Sequence, residues 1–306
     1  MTEAPPRRTS RSGFVTLVGR PNVGKSTLLN HLVGAKVSIV SDRPQTTRNQ
    51  VRGVLSLPAA QAVFIDTPGI HKPRTELGRR LNQRSLDTFG AVDVVCFLVE
   101  ANAPIGAGDR YIAERLRDVS TRVVLVVNKI DAAGRADVLG HLAGAASTLG
   151  DYDAYVPLSA RTGEGTDVLL REILGRLPEG PRYYPDDVIT DQPDTFLAAE
   201  LLREKLRAVA REELPHSLAV TVEEIEERDG DEEGGPLLVL RAVVRVERDS
   251  QKGIVIGRKG AVIKEAGTAA RLELEALLGA RVHLETHVKV DKDWQRRPDA
   301  LDRLGY

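Results

Sequence analysis

The sequence predicts an α/β domain built on a mostly parallel six-stranded sheet, followed by a smaller α+β domain. Three observations predict it. The chain has 306 residues, more than one typical small domain needs. Residues 14–178 alternate short apolar runs with longer amphipathic stretches, the βα pattern of a parallel sheet covered on both faces. After a break punctuated by Pro and Gly, the texture changes to two long β-rich runs set between helices.

Each element follows from its local pattern. Phe14–Val18, Ala62–Ile65, Asp93–Glu100, Arg122–Val127 and Ala154–Leu158 are apolar runs of strand length with helical periodicity between most of them. Val51–Leu57 is a further strand. Only Pro58-Ala59-Ala60 and a residue beyond separate it from the next, which implies a hairpin and one antiparallel edge. Residues 1–12 are polar and Arg-rich without an apolar core, so they read as a disordered lead-in and not a secretory signal. The first domain then spans 13–178. Pro181, Pro185 and Pro193 mark 179–195 as a linker. In the second domain, 196–306, Phe196–Leu214 is a helix with Leu202, Leu206 and Val209 on its apolar face, stopped by Pro215. Ser217–Glu227 and Leu237–Glu247 are strands flanking the acidic turn Arg228–Gly235. Ala261–Leu278 is a long helix and Arg281–Val290 the last strand, giving the order α-β-β-α-α-β. The Glu-rich stretch Glu223–Glu233 reads as a solvated edge.

Composition bounds the partners. A net charge of -1 supplies no global basic field, so any nucleic acid must be met by local charge. The one cysteine, Cys96, lies inside the apolar run Val94–Val99. It allows no internal disulfide, fits a reducing compartment, and is too buried to be a reactive thiol. The histidines show no metal-ligand spacing, and no apolar run reaches the ~18 residues of a membrane span.

Five short motifs carry the first domain's chemistry. Gly19-Arg-Pro-Asn22-Val-Gly24-Lys25-Ser26 follows a strand and opens a helix, the context of a P-loop. Its glycines turn backbone N–H groups toward phosphate, Lys25 sets a cation against the β- and γ-phosphates, and Ser26 binds Mg²⁺. Asp66-Thr-Pro-Gly69 closes a strand, placing Asp66 at the Mg²⁺ and the Gly69 N–H at the γ-phosphate. Between them, Gln45-Thr46-Thr47-Arg48 offers a Thr that completes the Mg²⁺ shell only beside a γ-phosphate. Thr47 is favoured and Thr46 stays open. Asn128-Lys129-Ile130-Asp131 chooses the base, because the Asp131 carboxylate accepts from guanine N1–H and the 2-amino group, both absent in adenine. Ser159-Ala160-Arg161-Thr162-Gly163 ends the next strand, with the Ala160 N–H at guanine O6. The candidate nucleotide contacts are therefore Gly19, Asn22, Gly24, Lys25, Ser26, Thr27, Asp66, Gly69, Asn128, Lys129, Asp131, Ser159 and Ala160. The metal ligands are Ser26, Thr47 and Asp66, and Lys25, Thr47, Gly69 and Asn22 are the catalytic candidates. A metabolic P-loop kinase or ATPase is opposed by Asn128–Asp131. A binding module with a degenerate nucleotide site is opposed by Lys25, Ser26 and Asp66 together.

In the second domain, Val255-Ile256-Gly257-Arg258-Lys259-Gly260 joins two helical segments. GxxG alone is uninformative in a chain with 27 glycines. Here the context carries it, with apolar Ile254 and Ile256 before it, basic residues in the variable places, and Lys252, Lys264 and Arg271 nearby. The segment resembles the KH domain in its type II order, whose GxxG backbone lies against about four unpaired nucleotides. The RNA-binding candidates are Lys252, Ile256, Gly257, Arg258, Lys259, Gly260 and Lys264.

Taken together with the linker and the tail Lys292-Asp293-Trp294 to Leu304-Gly305-Tyr306, these landmarks make nearly the whole chain resemble the Era-family GTPases. The resemblance implies a P-loop GTPase domain joined to a type II KH domain, hydrolysis of GTP to GDP with Mg²⁺, and binding of the 3′ end of 16S ribosomal RNA. It also implies a part in assembly of the small ribosomal subunit by a cytoplasmic monomer; contact with the inner face of the cell membrane stays open. A two-GTPase assembly factor is excluded by the single P-loop. A tRNA-modifying GTPase lacks a counterpart to its C-terminal catalytic cysteine, since Cys96 lies in the first domain. The place after Gly69, where many small GTPases orient water with Gln, is Ile70, an apolar substitution the family shares. In related GTPases an Asn at the place of Asn22 helps hold a K⁺ ion beside the phosphates. The resemblance implies that task here, and a purely structural role for Asn22 in the loop turn stays open.

Overall fold

The computed structural model describes residues 10–41, 46–210, 217–228 and 236–306. The described residues of Met1–Ser38, Thr47–Pro73 and Gly78–Asp191 form one unit, and those of Ile39–Thr46, Arg74–Leu77 and Gln192–Tyr306 a second.

Along the chain, the elements through residue 176 are β1 (Arg11–Gly19), α1 (Lys25–Val33), β2 (Val51–Leu57), β3 (Ala60–Asp66), α2 (Glu76–Asp87), β4 (Val94–Glu100), α3 (Ala107–Leu116), β5 (Arg122–Asn128), α4 (Arg135–Leu149), β6 (Ala154–Pro157) and α5 (Thr166–Arg176). Their six strands form one sheet in the order β2-β3-β1-β4-β5-β6. Neighbours are parallel except β2 and β3, which pair as the expected hairpin. β3 and β4 are buried along nearly all their length, as both-face coverage requires. Core residues such as Phe97, Leu125 and Val127 lie at zero exposure. Cys96 lies there too, and desolvation pushes its thiol up to about 12.

Two expectations are corrected in this unit. Arg11 and Ser12 are not part of a disordered lead-in: they open β1, pairing with Ala60 and Gln61, and the Arg11 guanidinium donates to the carbonyls of Gly175 and Leu177. Residues 1–9 of that expected lead-in lie outside the described residues. Nor does the Pro-rich stretch hang loose. Gln61, a buried amide in β3, accepts from the N–H groups of Tyr183 and Tyr184 and donates to the Tyr184 carbonyl. Val54 donates to Ile189 O at 2.7 Å, so the segment lies along the antiparallel edge and covers backbone that an edge strand would leave exposed.

The second unit follows with α6 (Asp194–Val209), β7 (Ala219–Arg228), β8 (Leu237–Val246), α7 (Asp249–Ile256), α8 (Ala261–Leu278), β9 (Arg281–Val290) and α9 (Pro298–Arg303). The sheet order is β7-β8-β9, antiparallel then parallel. Leu202, Leu206, Val244, Val255 and Ala270 share its main core. The α6 helix is shifted from its expected span. It starts at Asp194 because Pro193, at φ -60 and ψ 148, serves as its N-cap, and it leaves helical geometry at Ala210. The rest of its expected end, and residues 229–235 of the acidic turn, lie outside the described residues. In the tail, Trp294 is fully buried, donates from Nε1 to Ser217 O at 3.0 Å, and stacks on Tyr306.

Candidate functional site

The first site lies where β1, β3, β5 and β6 end, at the carboxyl edge of the sheet. Between β1 and α1, Asn22 and Gly24 take left-handed φ values of 66 and 100, which turn the loop back over the N-terminus of α1. Lys25 is buried, and its Nζ donates to Gly19 O and Arg20 O at 3.2 and 3.0 Å. Desolvation lowers its pKa to about 8 against the opposing pull of Asp66. A phosphate would replace two weak carbonyl partners with a full anion. Thr27 lies in the first turn of α1.

Asp66 ends β3 at zero exposure. Its Oδ2 accepts from Ser26 Oγ at 2.6 Å and Thr47 Oγ1 at 3.2 Å. The two hydroxyls lie 3.0 Å from each other. Burial raises the carboxyl pKa, opposed first by Lys25 and then by these hydroxyls. The three expected metal residues are thus in contact. Of the alternative threonines, Thr46 turns its hydroxyl toward Ser41 O instead. Gln45, of the same motif, lies outside the described residues.

At the base end, Asn128 ties two motifs together. Its Nδ2 donates to Val23 O in the P-loop at 2.7 Å, and its Oδ1 accepts the Ala160 N–H at 2.9 Å. The N–H expected at guanine O6 is therefore engaged by Asn128 here. Asp131 accepts from Ser159 Oγ at 2.6 Å and pairs with Arg161. The Ser159 bond, followed by Arg161, holds the carboxyl below its ordinary value, so it is an acceptor at neutral pH. Lys129 is bound by Glu100.

Gly69 packs against the P-loop. A Cβ there would lie 2.7 Å from Pro21 N and Cα, so only glycine permits the approach. Ile70 donates its N–H to Gly19 O while its side chain enters the core at 2% exposure, so it faces away from the loop and cannot orient water. Helix α2 grips the residues that follow. Asn82 accepts the His71 N–H at 3.3 Å and donates to His71 O at 2.6 Å, and Ser85 donates to Pro68 O.

In the second unit, α7 and α8 meet at Gly257–Gly260. Gly257, Lys259 and Gly260 take φ values of 72, 53 and 80. Arg258 and Lys259 project into solvent, as does Lys264 one turn into α8; Lys252 and Ile256 are half-buried on α7. Beside the turn, a groove of about 340 Å³ runs between Lys264, Thr268 and Arg271 on α8 and His283 and Thr286 on β9.

Sequence reasoning missed Ser38, Asn30, Asn82 and the β9 wall of this groove. The only local signal was a polar side chain interrupting an apolar pattern, as Asn30 does in Leu28-Leu29-Asn30-His31-Leu32.

The chain matches two protein families, 50S ribosome-binding GTPase over residues 14–129 and KH domain over residues 213–295. It is 49% identical over 298 residues to GTPase Era of Mycobacterium sp. (strain KMS), covering 97% of this chain and 99% of that one. The same protein of Mycobacterium tuberculosis (strain ATCC 25618 / H37Rv) is also 49% identical, with 96% and 98% covered. Two solved structures superpose on the chain, each with a TM-score of 0.92 and 97% of this chain and 99% of the other covered. One is a Tyr-to-Ala variant of Aquifex aeolicus Era bound to GDP.AlF4-, 40% identical. The other is Era in complex with MgGDPNP and nucleotides 1506-1542 of 16S ribosomal RNA, 41% identical.

Proposed function

The chain belongs to the Era family, a GTPase domain followed by a KH domain, and from that premise we propose a GTP-driven switch that binds the 3′ end of 16S ribosomal RNA in assembly of the small ribosomal subunit. The observations that carry the RNA half are the exposed Arg258-Lys259 turn and the groove between α8 and β9, whose α8 wall begins at Ile263, soon after Gly260. Backbone at Gly257–Gly260 can approach a sugar-phosphate chain, the basic pair meets its charge, and the groove accepts unstacked bases. The RNA contacts are Lys252, Ile256, Gly257, Arg258, Lys259, Gly260 and Lys264, with Thr268 and Thr286 added from the groove.

GTP hydrolysis is the family's activity, and Mg²⁺ fits the first site. The donors are hard oxygens, and Asp66 Oδ1 is buried without a hydrogen-bond partner among the described residues, an atom that needs a cation or its water shell. Ser26, Thr47 and Asp66 would hold the ion, which when bound neutralises charge on the β- and γ-phosphates. Lys25 and the P-loop amides bind the phosphates, and Asp131 with Ser159 and Ala160 selects guanine. Because Ile70 is committed to the core, charge relief rests on the P-loop side. In this reading Asn22, in the P-loop, helps hold K⁺. Hydrolysis then runs faster in KCl than in NaCl at equal ionic strength, and Asn22→Ala erases the difference while GTP binding survives.

Titration of a labelled 16S 3′-end RNA with the full chain, loaded with a GTP analogue or with GDP, tests the switch. A difference of roughly 5–150-fold between the two states is expected. Equal affinities would leave two independent domains, and no RNA binding in either state would end the 16S RNA reading. A cytoplasmic monomer is part of this proposal. Among the described residues no helix is long and apolar enough to cross a membrane, and flotation with anionic vesicles tests contact with the membrane face.

A further inference from the structure

A third side chain reaches the carboxylate that Ser26 and Thr47 share. Ser38 Oγ donates to Asp66 Oδ2 at 2.9 Å, and Ser38 is 3% exposed. Its position is set by one residue. The N–H groups of Val37 and Ser38 donate to Asn30 Oδ1 at 3.0 and 2.9 Å, and Asn30 Nδ2 donates to Ser38 O at 2.7 Å. Asn30 lies four residues after Ser26 on α1, so one helix face presents the Ser26 hydroxyl and clamps the segment carrying Ser38.

We propose that Ser38, held by Asn30, is a positioning residue of the Mg²⁺ site that orients Asp66 whichever nucleotide is bound; this rests on the Mg²⁺ reading above. A hydroxyl needing only burial would be satisfied by any carbonyl. This one is spent on a carboxylate oxygen that already accepts twice, while the other oxygen, Oδ1, accepts from none of the described residues. Three donors on Oδ2 fix the carboxylate's rotation and leave Oδ1 to face the metal's shell. Partners of this kind behind a metal ligand set its affinity by about 10–100-fold. Ser38 differs from Thr47 in what anchors it. Thr47 belongs to the loop expected to let go when the γ-phosphate leaves. The Val37–Ser38 segment is fastened by three bonds to Asn30 of α1, which opens at the P-loop and has no reason to move with the γ-phosphate. Thr47 should therefore govern Mg²⁺ retention in the GTP state alone, and Ser38 in both.

The test uses the full chain loaded with a fluorescent GDP analogue or a fluorescent non-hydrolysable GTP analogue. Nucleotide release is followed against buffered free Mg²⁺, and Mn²⁺ binding is read directly by electron paramagnetic resonance. Ser38→Ala is expected to raise the Mg²⁺ needed for half-maximal retention of GDP by about tenfold. Ser38→Thr, which keeps the hydroxyl, should restore most of the loss, and Thr47→Ala should shift only the GTP-analogue curve. Asn30→Ala leaves Ser38 in place chemically and should shift the GDP curve in the same direction, giving a second route if Ser38→Ala does not fold. A wild-type Mg²⁺ requirement in either folded alanine variant, or a shift confined to the GTP analogue, overturns the proposal. Release from wild type that ignores Mg²⁺ would instead overturn the underlying metal reading.

Discussion

The two units solve recognition by opposite means. In the first, polar side chains are buried and bound to one another: Asp66 collects hydroxyls from Ser26, Ser38 and Thr47, and Asn128 bridges the P-loop to Ala160. In the second, the turn between α7 and α8 is shaped by backbone angles, while its charged side chains stand in solvent. A site of buried groups bonded to one another discriminates sharply, because a wrong ligand strands a polar atom. A site of exposed charge and open backbone binds by sum, tolerates single changes, and responds to salt.

The largest effect should therefore come from one atom pair in the first unit. Asp131→Asn replaces an acceptor with a donor where guanine presents its amine and xanthine a carbonyl. GTP preference should fall by up to about 10⁴-fold, with XTP gaining. Competition binding with GTP, XTP and ATP measures it, and unchanged GTP selectivity would remove Asp131 from the base site. In the second unit a comparable loss should take two charge reversals. Arg258→Asp with Lys259→Asp should lower single-stranded RNA affinity by roughly 100-fold at moderate salt and leave GTP binding intact. Either single change should cost far less and flatten the salt dependence. A single substitution as damaging as the pair would mean that the turn recognises by fit, and the contrast between the units would fail.

Backbone shape sharpens the same contrast at lower energy. A Cβ on Gly257 would lie 2.5 Å from Val262 Cγ2 and 2.8 Å from its N, at φ 72, whereas a Cβ on Gly260 meets open space at φ 80. Gly257→Ala thus incurs both steric overlap and backbone strain, about 2–4 kcal/mol, and Gly260→Ala only strain, about 1 kcal/mol. Urea unfolding followed by the fluorescence of Trp294, the chain's one tryptophan, reads this in the second unit. Equal losses would show that Val262 gives way.

How far the sequence was legible follows from the same division. The P-loop, Asp66–Gly69 and Asn128–Asp131 could be read because each is a contiguous run at a strand end, where the residues that act are also the residues that set the turn. Thr47 could be preferred to Thr46 but not separated from it, since the choice depends on which hydroxyl faces Asp66 across 19 residues of chain. Ser38, Asn82 and Gln61 were invisible for a related reason. Each is one polar residue whose partner is remote: Ser38 to Asp66, Asn82 to His71, Gln61 to Tyr183 and Tyr184. The Pro-rich segment read as a linker from composition, and composition carries no record of an edge strand with unpaired backbone waiting beside it. In the second unit the α7 and α8 frame was legible from context, whereas the β9 wall of the groove was not, because alternating exposure along β9 looks like any solvated strand.

The smallest expected effect separates the units by pH. Cys96 is buried in β4, and desolvation moves its thiol from an ordinary 9.0 to about 12. The unfolded thiol ionises above pH 9 while the folded one keeps its proton, so the unfolded state is favoured progressively as pH rises. Stability from this group is complete below pH 9 and should have fallen by about 1 kcal/mol at pH 10. Cys96→Ala deletes the titration: the variant is less stable at neutral pH through the small cavity it leaves, but its stability should decline less between pH 8 and 10 than wild type's. Only the difference between the two profiles isolates the thiol, because tyrosines and lysines titrate in the same range in both proteins. Far-UV circular dichroism reports both units and should show that difference. Trp294 fluorescence reports the second unit, which contains no cysteine, and should show none. A pH-dependent difference in the Trp294 signal would mean that the two units unfold together as one cooperative body, and parallel profiles by both probes would mean that the Cys96 thiol ionises in the folded protein as readily as in the unfolded chain.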